Sequence, residues 1–213
     1  MRRTVLVVSS VCALALAPAA LADLVIDLGG GWRATIFDED NVDLAVDFVS
    51  IEDDILVIQK FANFTTIDPF SGQPDPVQIA FNQIADDALT VSRIVITDQL
   101  LFNNTGVDWT SYHETLLGGN VAWNQAESAS LSYDPFTTRS YNDDSTIIEF
   151  GGGVVADGTA WTPGLESGGL VIDIDLSGEE GVKFVLKEAP LPGPGALALL
   201  GVAGLVGGRR RRA

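Results

Sequence analysis

One histidine, 29 carboxylates and a single cysteine at position 12 set the chemistry that this chain of 213 residues can attempt. His113 sits in Asn103-Asn104-Thr105-Gly106-Val107-Asp108-Trp109-Thr110-Ser111-Tyr112-His113-Glu114-Thr115-Leu116, with Asp108 and Ser111 near it and Ser128 further on. A serine hydrolase needs such a base between a nucleophile and an orienting acid. The Gly-x-Ser-x-Gly turn that would present the nucleophile is missing, and Ser167-Gly168-Gly169 lacks its first glycine. Zinc fares no better, since one histidine without cysteines leaves only carboxylate ligands. No catalytic constellation is expected, and the chain reads as a non-enzyme.

Carboxylates suit hard cations better. Asp38-Glu39-Asp40-Asn41-Val42-Asp43 places oxygen ligands where a calcium ion could be wrapped by Asp38, Asp40 and Asp43, although the run lacks the glycine of an EF-hand loop. Asp53-Asp54, Asp86-Asp87 and Asp143-Asp144 are further pairs, and Asp173 with Asp175 would project from one face of a strand at a solvated edge. Two acids could also meet as a glycosidase pair, but among 29 of them that coincidence carries little information. Asn63-Phe64-Thr65 and Asn103-Asn104-Thr105 have the form of glycosylation sequons.

The elements that must position these groups read as short strands. Residues 32–37 are β-rich, and Val42, Leu44, Val46 and Phe48 alternate with Asp43, Ala45 and Asp47. An apolar run at 55–61 ends in a Pro/Gly/Asp loop at 68–76; Val77, Ile79 and Phe81 alternate next, and residues 89–102 follow before the Asn103-Asn104-Thr105-Gly106 turn. Residues 146–150, 169–176 and 182–186 complete the pattern. Strands about ten residues apart, separated by turn residues, predict an all-β antiparallel β-sandwich over residues 23–189. Read with period two, Tyr112, Glu114 and Leu116 share one face of their strand, and Trp109, Ser111, His113 and Thr115 share the other.

The two ends carry addresses. Arg2 and Arg3, an apolar stretch from Val5 to Leu16 and the Ala20-Leu21-Ala22 cleavage pattern make residues 1–22 a secretory signal peptide. Its removal takes away Cys12, so no disulfide can staple the mature chain. Residues 190–213 read Pro190-Leu191-Pro192-Gly193-Pro194-Gly195, then an apolar run from Ala196 to Gly208, then Arg209-Arg210-Arg211-Arg212. Prolines should stop regular structure of the body here. Thirteen apolar residues as a helix reach roughly 20 Å at about 1.5 Å each, short of the ~30 Å hydrocarbon core. Four terminal arginines should stay on the cytoplasmic side, and Gly204 with Gly208 allows another membrane helix to approach closely.

This tripartite tail resembles the PEP-CTERM sorting signal, with Pro192-Gly193-Pro194 where that family has Pro-Glu-Pro. The resemblance covers about 24 residues and implies recognition and cleavage near the proline motif by an exosortase-type membrane enzyme, after a transient stay in the inner membrane. The Asn-Asn-Thr-Gly-x-x-Trp-Thr-x-Tyr-His stretch likewise resembles secreted domains carrying such tails, for which no activity follows.

Removing both ends leaves six basic residues against 29 acidic ones, a charge of −23. That field argues against nucleic acid and anionic membrane as partners. The expectation is an exported cell-surface or extracellular-matrix protein with a structural or adhesive role. A calcium-assisted module for exopolysaccharide is the alternative, favoured if Trp123 or Trp161 stands exposed beside an acidic loop, and a polysaccharide hydrolase comes third.

Overall fold

The structure, a computed structural model, describes residues 24–37, 42–52, 54–177 and 181–193, with only the backbone described at 42–44, 48, 49 and 52. The signal peptide with Ala20 and Ala22, the carboxylates Asp38 and Asp40, and the tail from Pro194 through Arg209, Arg210, Arg211 and Arg212 lie outside these residues. Asp43 is described only as backbone, paired with Asn63.

Thirteen strands follow one another among the described residues: β1 (Leu24–Gly29), β2 (Trp32–Ile36), β3 (Val42–Glu52), β4 (Ile55–Phe64), β5 (Val77–Gln83), β6 (Arg93–Asn103), β7 (Trp109–Leu117), β8 (Val121–Trp123), β9 (Thr138–Tyr141), β10 (Ile147–Val155), β11 (Thr159–Trp161), β12 (Leu170–Ile174) and β13 (Lys183–Pro192). A short 3-10 turn, Glu127–Ser130, is the one helical piece among them. The first sheet runs β1-β2-β5-β13-β7-β10-β9 and the second β3-β4-β6-β12-β8, with β11 added alongside β6. Their inner faces share one core, a sandwich-like arrangement.

Sequence alternation explains most of the strands. In β4 the side chains of Leu56, Ile58, Lys60, Ala62 and Phe64 are buried while their neighbours are half exposed. Four short strands, β1, β8, β9 and β11, escape the alternation reading because three to six residues hold too few periods. The expected purely antiparallel pairing is corrected at one place: β4 and β6 run parallel, Ile55 opposite Arg93 through Phe64 opposite Asn103. The chain between them crosses through β5 in the other sheet.

The expected stop at the prolines is corrected too. β13 continues to Pro192, with Pro190 opposite Tyr112 and Pro192 opposite Trp109, and both rings are buried in line with Phe184 and Leu186. Beyond Glu188 the strand has β7 alone as neighbour, because its pairing with β5 ends at Val77. Such a one-sided stretch is where a sheet accepts residues without a backbone donor. Asp173 is corrected from an edge to an interior strand: β12 lies between β6 and β8.

Two bulges change which residues face inward. Gln59 pairs with Thr97 but Phe61 with Leu100, so Lys60 faces the two residues Asp98 and Gln99. Asp98 takes φ of 43°, a left-handed value that short polar residues tolerate. The inward positions of β6 therefore switch from Ile94 and Ile96 to Gln99, Leu101 and Asn103. In β7, Thr110 drops out of register between Trp109 and Ser111. Trp109 thus joins Tyr112, Glu114 and Leu116 inside, against the period-two expectation, which holds from Ser111 onward.

Aromatic rings tie the sheets together here. Phe64 stands edge-on to Trp109 at 5.1 Å, Trp161 stands edge-on to Tyr112 at 4.9 Å, and Phe136 and Phe150 pack on Trp161. Each such pair contributes about 0.5–1.5 kcal/mol beyond burial.

Candidate functional site

Beside these rings lies a cluster of charge enclosed between the sheets. Lys60 comes from β4, Glu114 from β7 and Glu188 from β13, each at a position that alternation alone assigns to the core. All three side chains are fully buried. The Lys60 Nζ donates to Glu188 Oε1 in direct contact and lies 3.7 Å from Glu114 Oε1. The Tyr112 hydroxyl donates to Glu188 Oε2 at 2.9 Å. Glu114 and Glu188 are direct cross-strand partners, an arrangement that repels when both are ionised. Gln99, turned inward by the bulge, completes the group at 1% exposure. Its amide interacts with the Glu114 carboxyl, although neither side chain reaches a hydrogen bond of ordinary geometry.

Burial governs the protonation here. It lowers the Lys60 ammonium to about 8, with the Glu114 charge opposing. It raises the Glu114 carboxyl, with Lys60 opposing, and raises the Tyr112 phenol well above its usual range. Two glutamates facing one lysine are neutral as a set only when one carries a proton, and the contacts place it on Glu114, because Glu188 accepts from both Lys60 and Tyr112. This cluster was missed in the sequence reading, although its signal is present. A lysine in phase with Leu56, Ile58, Ala62 and Phe64, and glutamates in phase with Tyr112 and with Leu186, are charged residues at core positions.

The residues singled out from sequence are dispersed. His113 projects from the opposite face of β7, with Nε2 at 3.5 Å from Glu149 Oε1, its cross-strand partner. Asp108 Oδ1 instead accepts the Asp157 backbone N–H, and Ser128 Oγ accepts that of Val171, so no triad forms. Carboxylates elsewhere organise their own loops. Asp54 accepts the Ser92 N–H and hydroxyl at 3.1 and 2.6 Å, Asp87 accepts the Leu89 N–H, and the Ser177 hydroxyl and then its N–H hold the Asp175 carboxyl below its usual range. Asp173 binds Arg93 Nε at 2.9 Å and the Asn124 amide, and Arg93 also reaches Glu127. Among the described residues no three metal-ligating side chains converge, and no helix is long and apolar enough to cross a membrane. Trp123 and Trp161, the tryptophans that would have favoured a sugar-binding face, are both buried, at 2% and 0% exposure.

The Asn103-Asn104-Thr105-Gly106 stretch is an architectural turn. Asn103 is fully buried; its amide donates to the carbonyls of Val107 and Val155, and its oxygen accepts from the Thr105 N–H and hydroxyl. Gly106, at φ of 82°, donates its N–H to Asp157. The two sequons touch, the amide of Asn104, the middle residue of the second, donating to Asn63 Oδ1 at 2.7 Å.

Compared with known proteins, the chain matches no family model, no curated protein and no solved structure.

Proposed function

We propose that this chain is an exported cell-surface or matrix protein with a structural or adhesive role, delivered by a C-terminal sorting tail that is cut after translocation. The observation that carries the reading is the join between body and tail. β13 is the middle strand of the seven-stranded sheet, paired on both sides. Gly193 still donates its N–H to the Asp108 carbonyl at 3.3 Å, the apolar run begins at Ala196, and the four arginines follow it from Arg209. Tension applied through the tail therefore loads a central strand along its length, where the ladders to β5 and β7 resist together. A flexible spacer would be expected instead if the body had to swing freely on its anchor.

Processing near Pro194 removes the tail and leaves the described sheet whole, because β13 ends at Pro192 and the bond from Gly193 lies before the cut. The partners in this reading are an exosortase-type membrane enzyme and, at the destination, matrix material such as exopolysaccharide. The test is the C-terminal peptide of the mature surface protein by mass spectrometry, expected to end close to Gly193. Neutral replacements of Arg209, Arg210, Arg211 and Arg212 should release uncut protein into the medium, since the basic stop is gone. An intact arginine end on surface-located wild-type protein would overturn the sorting reading in favour of a permanent anchor.

A further inference from the structure

The buried cluster has the parts of a reaction as well as of an ion pair. An amine and a carboxyl, Lys60 Nζ and Glu188 Oε1, touch across the interface between the sheets, 128 residues apart in the chain. A second carboxyl, Glu114, stands opposite Glu188 in the ladder and 3.7 Å from the same nitrogen, with the Gln99 amide beside it. The Tyr112 hydroxyl is fixed on the other Glu188 oxygen at 2.9 Å. The three charged side chains are closed off from water, and Phe64, Trp109 and Trp161 pack around Tyr112.

We propose that Lys60 and Glu188 condense into an intramolecular isopeptide bond that fastens β4 of one sheet to β13 of the other, with Glu114 carrying the proton. Proton transfer within the pair first gives a neutral amine and a carboxylic acid, the forms that burial favours. Lys60 Nζ then attacks Glu188 Cδ, forming the C–N bond. Tyr112 stabilises the oxygen on which negative charge develops. Glu114, which enters the step protonated, gives its proton to the departing hydroxyl and takes in return the one shed by the nitrogen. The C–O bond breaks and one water leaves, so the step needs no oxidant, no cofactor and no outside reactant.

Fixed contact replaces the entropy of bringing the two groups together. The product also removes two charges from a place where desolvation makes them costly. Glu114 then remains as a single neutral acid beside an amide, without the charge facing it across the ladder. The proposal stands apart from the export reading, because the bond forms in any folded copy of the chain.

The experiment is peptide mapping of the full-length folded protein after denaturation. Trypsin cuts after an unmodified lysine and cannot cut after an acylated one. The expected result is an uncut peptide covering residues 34–93, joined to the peptide that begins at Glu188, with their combined mass short by one water. Glu114→Gln should fold and lose the link. Glu188→Gln, with Glu114 intact, should keep the link but form it with loss of ammonia in place of water. Lys60→Arg should abolish it in every background. Release of an ordinary peptide ending at Lys60, from wild-type protein shown to be folded by near-ultraviolet circular dichroism, would overturn the proposal without reliance on any variant. A link that persists undiminished in Glu114→Gln would overturn the role of Glu114.

Discussion

Asn103 offers the sharpest test of how the aromatic end of the sandwich is held. Its side chain makes two donated and two accepted hydrogen bonds in a fully buried position. Asn103→Ala leaves the carbonyls of Val107 and Val155 without this donor, and the Val155 bond lies in buried surroundings. At about 1–3 kcal/mol for each buried group left unsatisfied, the loss should be about 2–4 kcal/mol. Asn103→Asp is more informative because it is nearly the same shape. The acceptor toward Thr105 survives, but an oxygen now faces two carbonyl oxygens, and a buried charge without a partner costs about 3–5 kcal/mol. Burial and those carbonyls hold the new carboxyl's folded pKa above its unfolded value of about 3.9. A group raised in this way contributes its full stability below the unfolded pKa and loses it as pH rises through the folded one. Asn103→Asp should therefore be much weaker than wild type at pH 7 and recover part of the difference near pH 4, where the protonated acid can donate to one carbonyl. Urea unfolding of both proteins at the two pH values measures this as a difference of differences, which cancels the titration of every other group. A variant within about 0.5 kcal/mol of wild type at pH 7, the range of an ordinary surface change, would refute the account of the turn.

Glycine substitutions separate steric from conformational demands. A Cβ at Gly153 would run into the Pro135 carbonyl, so Gly153→Ala should cost about 3 kcal/mol or prevent folding. Gly158→Ala meets nothing within 4 Å but must hold φ of 75°, and should cost only about 1–2 kcal/mol by the same thermal or urea assay. Calcium and magnesium should raise the melting midpoint equally, and by no more than sodium chloride at matched ionic strength, because the described carboxylates engage their own loops and a body at −23 is relieved by screening. An extra rise with calcium alone would indicate a site in the acidic run at residues 38–43. Pro190→Ala should change stability by less than about 1 kcal/mol, the scale of a proline's effect on the unfolded chain. A larger loss in urea unfolding would mean that the buried ring itself holds the end of β13.

What the sequence made legible follows how local each signal is. Alternation marks β5 and β7 because every second side chain must meet the same core, and a bounded apolar run marks β4. The bulges are harder, since a single extra residue is invisible until both flanks are assigned. Even so, inward apolar residues at even positions, Ile94 and Ile96, followed by Leu101 at an odd one, record the shift at Asp98 and Gln99. The parallel β4–β6 pair could not be read at all, because which strands lie side by side is decided by long-range packing. The prolines misled for a related reason: Pro190 and Pro192 exclude a helix and a strand flanked on both sides, but not a strand flanked on one. The charge cluster depended on all of this. Lys60, Glu114 and Glu188 each look like an isolated exception until β4 is laid over β7 and β13.

Their meeting also bears on why this sandwich settles in one register. A slip of β4 by one residue would turn Lys60 to solvent and bring Gln59 and Phe61 inside. Glu114 and Glu188 would then face each other with no cation, which is far more costly than the same slip in an apolar core. Two further groups tighten the constraint. The Tyr112 hydroxyl finds Glu188 only if β7 and β13 keep their pairing, and Gln99 reaches the cluster only through the bulge opposite Lys60. The body has just six basic residues to set against 29 acids, yet one of the six lies in the core, where it does nothing to relieve repulsion at the surface. In a chain with no cysteine after Cys12, that placement does what a disulfide would otherwise do: it makes one alignment of the two sheets much lower in energy than its neighbours.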